Sequence, residues 1–382
     1  MKRFGILVLA LLAFVAPAFA QVEFETQARF AVLTDFESGT VIFQKDADQP
    51  MEPASMAKLM TLAVVFDEIK NGRLSLDDQF YVSENAWRTG GAMSDGSTMF
   101  AELNSQIRVE DLIRSVIIQS GNDAAIVLAE GIAGSESTFA LMMNELAQDI
   151  GLTGSHFTNS TGLPDPDMYV TARDLATLAR HLIRDYPDYY HYFSEPEMEW
   201  NGIRQPNRNS LVEQGIGVDG LKTGHTEASG YGSVISSDAG DRRLIAVVHG
   251  LTSMAQRNEE GRKLITWGAR AFERVAAYPE GTVIATADVY GGEAPSVGLV
   301  GEGEVALYLP RGSRRCLNAQ VVYTGPLMPP VTQGEEVAEL RVFCEDRLVQ
   351  TAPLYAAETV GEGDITRKAT DALKQLALGW LP

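Results

Sequence analysis

Runs of β-type residues stand on both sides of a long helical stretch, and this order constrains the fold more than any other feature of the chain. Phe30-Ala31-Val32-Leu33-Thr34 and Thr40-Val41-Ile42-Phe43 flank Glu37-Ser38-Gly39, the pattern of a hairpin. Residues 231–237 and 243–249, joined by Asp238-Ala239-Gly240-Asp241, read as a second one. Between them apolar residues recur at helical spacing. Leu59, Leu62, Ala63 and Phe66 follow Ala54-Ser55 and stop at Asn71-Gly72, and further helices are predicted over 109–119, 123–133, 137–150 and 171–184. Another is predicted over about 258–276. Strands at the two ends with helices between them imply an α+β domain whose terminal segments share one antiparallel sheet covered by helices.

The texture changes near Tyr278-Pro279-Glu280-Gly281. Beyond it, short Val-rich runs at 282–289, 305–309, 319–323, 336–343 and 348–354, punctuated by Gly and Pro, predict a small all-β domain. The tail, 364–381, carries Ile365, Ala369, Ala372, Leu373, Leu376, Ala377, Trp380 and Leu381 on one stripe, an amphipathic helix. At the other end, Lys2-Arg3 precede an apolar run over 4–15 and the small residues Ala18 and Ala20. The run is shorter than the roughly 18–20 residues a spanning helix needs, and it reads as a secretory signal peptide cleaved before Gln21. The chain is thus expected to divide into a leader (1–20), an α+β domain (21–278), a β domain (279–361) and an amphipathic tail (362–382). In an oxidising compartment Cys316 and Cys344 either form a disulfide or remain two buried thiols; the sequence leaves both open.

A formal charge of −20, from 31 Lys and Arg against 51 Asp and Glu, carries no basic footprint for nucleic acid. Two cysteines and five scattered histidines, without CxxC or HExxH, give no metal or cluster site and imply no cofactor. Chemistry must come from ordinary side chains. In Ser55-Met56-Ala57-Lys58 the three-residue spacing puts hydroxyl and amine on one helical face. Burial and neighbouring positive charge let such a lysine take the hydroxyl proton, and a helix N-terminus turns backbone N–H groups toward developing negative charge. Of the eight lysines only Lys58 has a serine three residues before it. Taken alone, the pattern equally fits a capping serine with an exposed lysine. Ser120-Gly121-Asn122-Asp123 is a polar break between two apolar helices, and reads as a site element or as a helix cap. Lys222-Thr223-Gly224-His225 lies on a strand, where Gly224 permits close approach of a backbone while Lys222 and Thr223 offer charge and a hydroxyl. A P-loop is excluded, because its glycine spacing is missing.

In this order S-x-x-K, S-x-N and K-T-G form the signature of penicillin-binding proteins and class A β-lactamases, with Gly121 in place of the middle Asp. Pro53-Ala54, Gly96-Ser97-Thr98-Met99-Phe100, Asn207-Arg208-Asn209, Val218-Asp219-Gly220-Leu221 and Lys263-Leu264-Ile265-Thr266-Trp267-Gly268 extend the match. The chain resembles the low-molecular-mass penicillin-binding proteins that are S11-type D-alanyl-D-alanine carboxypeptidases. The resemblance implies a β-lactamase-like catalytic domain, then a β-sandwich that includes Tyr308-Leu309-Pro310-Arg311-Gly312. It implies Ser55 as nucleophile, Lys58 as base, Ser120 as proton relay, Asn122 on the substrate amide and Lys222 keeping the site positive. Backbone N–H groups of Ser55 and His225 would form the oxyanion hole, beside Gly224. Thr223 and Arg257 would hold the substrate carboxylate, with Arg208 in support. The partners implied are a peptidoglycan stem peptide ending in D-Ala-D-Ala, β-lactams as inhibitors, and the outer face of the inner membrane under the tail, in the periplasm. The basic residues Arg367, Lys368 and Lys374 are opposed there by Asp364 and Asp371.

Three other readings share these parts. A β-lactamase needs a deacylating glutamate, yet residues 159–174 hold Asp165, Asp167 and Asp174 and no Glu, and a second domain follows. A cross-link endopeptidase is disfavoured by the same extra domain. A non-catalytic binder is disfavoured by the intact set Ser55, Lys58, Ser120, Asn122 and Lys222. Residues 87–94 line the expected cleft and leave the choice of peptide side chain open.

Overall fold

The computed structural model describes residues 24–94, 96–238, 242–310, 317–344 and 347–378. The expected leader, Cys316, Trp380 and Leu381 lie outside them, as does the side chain of Cys344. The hairpin of β1 (Phe30–Asp35) and β2 (Val41–Lys45) leads through a 3-10 turn, Ala54–Ala57, into α1 (Lys58–Lys70). The small ribbon of β3 (Gln79–Tyr81) and β4 (Gln106–Arg108) precedes α2 (Val109–Ile118), α3 (Asn122–Ala133), α4 (Glu136–Asp149), α5 (Ala172–Asp185) and the single turn α6 (Pro187–Tyr190). A second ribbon, β5 (Glu197–Trp200) with β6 (Ile203–Pro206), leads to β7 (Val218–Thr226), β8 (Gly230–Asp238), β9 (Arg243–Leu251) and α7 (Met254–Ala271).

The main sheet runs β2-β1-β9-β8-β7 and is antiparallel throughout, so the first hairpin pairs with the last strand of the domain and β7 is left at an edge. This is the α+β architecture read from the sequence. Alternate residues of β1 and β9 serve opposite cores. Phe30, Val32, Ile245 and Val247 pack with α1, α2, α3 and α5, whereas Ala31, Leu33, Leu244, Ala246 and Val248 pack with Leu264 and Ile265 of α7. A sheet covered on both faces needs unbroken apolar strands, which is why 30–33 and 244–248 read as continuous runs. Helix α1 is buried from Lys58 to Phe66, so its amphipathicity is weak and its polar members face the site.

Helix α7 ends at Ala271, short of the predicted 276, because Phe272–Tyr278 forms β10 and pairs with β13 (Val305–Pro310). The β domain continues with β11 (Ala285–Asp288), β12 (Ser296–Val300), β14 (Leu317–Val322), β15 (Glu336–Cys344) and β16 (Arg347–Ala356). Its core cluster includes Ala287, Val297, Leu299, Leu340, Val342, Leu354 and Ala356. Strand β16 meets β2 at Thr351 and Val41, and Arg180 and Arg184 of α5 both reach Glu302. The tail forms α8 (Ile365–Leu378), where Asp371 accepts from the backbone of Gly291 at 3.0 Å while Ile365 and Leu373 remain exposed. Asp371 is thus a point at which the helix docks on the β domain.

Candidate active site

Ser55 stands in the 3-10 turn at the head of α1, immediately after Ala54, whose φ is +48°. A left-handed conformation costs a non-glycine residue on the order of 1–3 kcal/mol and persists only where its surroundings impose it. Two contacts impose it here. A Cβ on Gly162, itself at φ +75°, would lie 1.9 Å from the Ala54 carbonyl, and one on Gly224 would lie 3.0 Å from the Pro53 carbonyl and 3.1 Å from Met56 Cγ. The turn that carries Ser55 is gripped between a loop and the edge strand. Close approach at Gly224, read from the sequence as room for substrate backbone, is taken up by the protein's own Pro53–Met56 segment.

Lys58 is fully buried, and its Nζ donates to Ser55 Oγ at 3.1 Å, Asn122 Oδ1 at 2.7 Å and the Thr161 carbonyl at 2.5 Å. Burial lowers its pKa to about 7, partly offset by the carboxylates of Asp123 and Glu136 and assisted by Arg208. A large neutral fraction near pH 7 with its lone pair beside Ser55 can accept the hydroxyl proton. The Thr161 carbonyl is held by a turn in which Asn159 Oδ1 accepts from the backbone of Thr161 and Gly162 and from the Thr161 hydroxyl. Ser160 Oγ donates to Glu136 at 2.7 Å, which occupies that carboxylate.

The polar break between α2 and α3 delivers Ser120, at φ +69°, and Asn122 into the same place. Ser120 Oγ is buried and has no hydrogen-bond partner among the described residues. A buried orphan hydroxyl costs about 1–3 kcal/mol unless a bound molecule meets it. The neighbouring Asp123 does more than cap a helix. Its carboxylate accepts from Thr98 Oγ1 at 2.6 Å and from the backbone N–H groups of Met99, Ala101 and Ala124, while the Asn122 N–H donates to the Ser97 carbonyl at 2.7 Å. Segment 97–101 is thereby tied to the helix start that carries Asn122.

On β7, Lys222 is 1% exposed and its Nζ reaches only its neighbour's carbonyl, Thr223 O at 3.1 Å, among the described residues. Burial, then the charges of Lys58, Arg208 and Arg257, push its pKa well below the usual lysine range. Thr223 is buried, and the exposed His225 stacks on Tyr231 with ring centroids 3.8 Å apart. Arg257, buried on α7, donates to Asn258 Oδ1 and to the Arg208 carbonyl, and burial lowers its pKa to about 10. Arg208 is exposed, and its charge acts on Lys58, Lys222 and Arg257 alike. Lys222, Arg208 and Arg257 converge without a carboxylate partner at Lys222 or Arg257 among the described residues, and describe a seat for an anion. No group of three or more His, Cys, Asp or Glu side chains is placed to hold a metal among the described residues.

The fold joins Ser55, Lys58 and Asn122 by hydrogen bonds, holds Ser120 two residues before Asn122 at the start of α3, and carries Lys222, Thr223, Gly224 and His225 past the Ser55 turn on one strand. The sequence reading missed Thr161, Asn159, Glu136 and the anchoring role of Asp123. Thr158-Asn159-Ser160-Thr161-Gly162 is a recognisable turn signal, but nothing local says that it faces α1.

Residues 17–253 match the family model described as D-alanyl-D-alanine carboxypeptidase, the S11 peptidases. The chain belongs to this family. Residues 272–362 match a second model, the C-terminal domain of penicillin-binding protein 5. The chain is 39% identical to the D-alanyl-D-alanine carboxypeptidase DacC of Escherichia coli over 90% of its length and 87% of the relative's. Among solved structures it is similar to penicillin-binding protein 5 of Haemophilus influenzae (TM-score 0.71, 36% identity), covering 90% of this chain and 100% of that one. It is also similar to penicillin-binding protein D2 of Listeria monocytogenes in its ampicillin-bound form (TM-score 0.59, 27% identity), over 65% of this chain and 100% of that one.

Proposed function

We infer that the chain is a serine-type D-Ala-D-Ala carboxypeptidase of peptidoglycan. The observation that carries the reading is the buried Lys58 amine, its pKa lowered to about 7, 3.1 Å from Ser55 Oγ and among basic neighbours. Ser55 Oγ attacks the carbonyl between the two D-alanines as Lys58 takes its proton. Negative charge on the carbonyl oxygen is met by the N–H groups of Ser55 and His225. The peptide C–N bond then breaks, Ser120 gives its proton to the departing amine and takes the one on Lys58 in its place, and D-alanine leaves an ester on Ser55. Water, deprotonated by the same base, hydrolyses the ester. Asn122 holds the substrate amide, Lys222 keeps the site positive, and Thr223 and Arg257, supported by Arg208, hold the terminal carboxylate, a charge-assisted contact that makes the enzyme an exopeptidase. β-Lactams acylate the same serine.

The reading includes an exported, extracytoplasmic protein divided as the sequence indicates: leader 1–20, catalytic domain 21–278, β domain 279–361 and tail 362–382. The tail lies on the outer face of the inner membrane, in the periplasm. Supporting this, α8 docks through Asp371 while Ile365 and Leu373 face away from the protein, 86% and 67% exposed.

The test is purified 21–382 with an N-acyl peptide ending in D-Ala-D-Ala, with released D-alanine as readout and Ser55→Ala and penicillin-treated protein as controls. Release that depends on Ser55 and is blocked by penicillin is expected. A penicilloyl adduct on Ser55 without D-alanine release overturns the carboxypeptidase assignment. Loss of residues 362–382 is expected to abolish sedimentation with anionic vesicles; unchanged sedimentation removes the membrane role.

A further inference from the structure

Strand β7 carries Lys222, Thr223 and His225, yet it is an edge of the main sheet, and its neighbour there among the described residues is β8. A strand paired on one side and interrupted by glycine, here Gly220 and Gly224, is weakly specified in register. A slip of one residue would send every one of its side chains to the opposite face. The phase of β7 is set at its start. Val218 pairs with Ser237 and Gly220 with Ser236, so Asp219 is the extra residue of a β-bulge.

That residue is gripped from two strands and a helix. Arg243 Nη1, on β9, donates to Asp219 Oδ2 at 2.7 Å and Oδ1 at 2.9 Å, and to Ser236 Oγ at 2.6 Å. One guanidinium thus spans β9, β8 and β7 at the bulge. From α6 the Tyr190 hydroxyl donates to Asp219 Oδ1 at 2.8 Å. Gly220 is held as closely: its carbonyl accepts from Asn209 Nδ2 at 3.0 Å, and a Cβ there would lie 2.9 Å from the Tyr190 hydroxyl. The Asp219 and Arg243 side chains are 26% and 16% exposed, a setting in which salt screens an ion pair less than at the surface. The charges acting on Lys222 are those of Lys58, Arg208 and Arg257, so Asp219 serves the strand's geometry and not its charge.

We propose that Asp219, clamped by Arg243 and Tyr190, is the positioning residue of the site strand. It fixes the bulge that sets the register of β7, and thereby places Thr223, four residues on, against the terminal carboxylate of the substrate. The proposal rests on the carboxypeptidase reading, in which Thr223 holds that carboxylate.

The test measures kcat/KM of the full chain for an N-acyl peptide ending in D-Ala-D-Ala and for the same peptide with a C-terminal amide. The wild type is expected to prefer the free acid, and Asp219→Ala and Arg243→Met to lower that preference about tenfold, mainly through KM of the acid. Loss of folded protein alone lowers both values equally and leaves their ratio unmoved. Tyr190→Phe removes one hydroxyl, keeps the test open where a charge variant fails to fold, and is expected to lower the ratio about threefold. An acid-to-amide ratio equal to that of the wild type in the folded variants overturns the proposal. If the wild type releases no D-alanine, or cleaves acid and amide alike, the carboxypeptidase reading has failed, and hydrogen exchange decides the strand. Faster exchange at residues 220–224 in Tyr190→Phe, with 30–35 unchanged, sustains the register role, and unchanged exchange at 220–224 overturns it.

Discussion

At the catalytic cleft Lys58, Asp123, Lys222 and Arg257 are buried within one neighbourhood, whereas the core cluster of the β domain is built from residues such as Val297, Leu299, Leu340 and Leu354. The cleft also holds two left-handed non-glycine residues, Ala54 and Ser120, and the buried Ser120 hydroxyl without a hydrogen-bond partner among the described residues. No left-handed non-glycine residue is found among the described residues of the β domain. Burial thus does different work in the two regions. In the β domain it contributes stability at about 25 cal/mol per Å² of apolar surface. In the cleft it is spent on reactivity, because desolvation is what lowers the pKa of Lys58 to about 7.

Substitutions in the two regions should separate along that line. Ser55→Ala is expected to lower kcat for D-alanine release by roughly 10⁴-fold or more, since among the described residues Ser55 Oγ is the hydroxyl hydrogen-bonded to Lys58 Nζ. Lys58→Met is expected to cost roughly 10²–10⁴-fold, the usual worth of a general base. It also carries a signature in stability. The folded pKa of Lys58 lies below its unfolded value, so between about pH 7 and 10 the unfolded chain binds the extra proton and stability rises with pH. The wild type should gain up to about 1.4 kcal/mol per pH unit over Lys58→Met between pH 7 and 9 in urea unfolding. Equal slopes would mean that Lys58 is not held neutral.

Asp123→Asn sharpens the contrast, because the carboxylate serves both structure and charge. Its loss loosens segment 98–101 and removes a group that favours protonated Lys58. A fall of roughly 10–100-fold in kcat/KM, with the acid limb of the pH profile displaced to lower pH, is expected. A fall without displacement would leave Asp123 a purely structural anchor. At the small end, Leu354→Ala should cost about 2–5 kcal/mol in urea unfolding while kcat/KM at 25 °C stays within about twofold. A large loss of activity there would break the division between the two regions.

The same division governs what the sequence discloses. Strands whose burial repeats locally, such as 30–34, 243–249 and 336–343, are legible because period and apolarity are properties of adjacent residues. Strand β10 was masked by the helical register of 258–271 that runs into it, and its pairing with β13 is non-local. At the site, Ser55, Lys58, Ser120, Asn122 and Lys222 were legible because each motif is contiguous and their order is distinctive. The Thr161 carbonyl, the Glu136–Ser160 contact and the Asp123 anchor were not, since they join residues tens of positions apart through backbone groups that every residue possesses.

The central claim is that burial makes Lys58 a base near neutral pH, and the most direct measurement is the rate of penicilloyl-Ser55 formation between pH 5 and 9. The account requires a rate that falls about tenfold per unit below a midpoint near pH 7 and levels off above it, with the midpoint lower in Asp123→Asn. A rate that is flat from pH 5 to 9, or still rising tenfold per unit at pH 9, would contradict it.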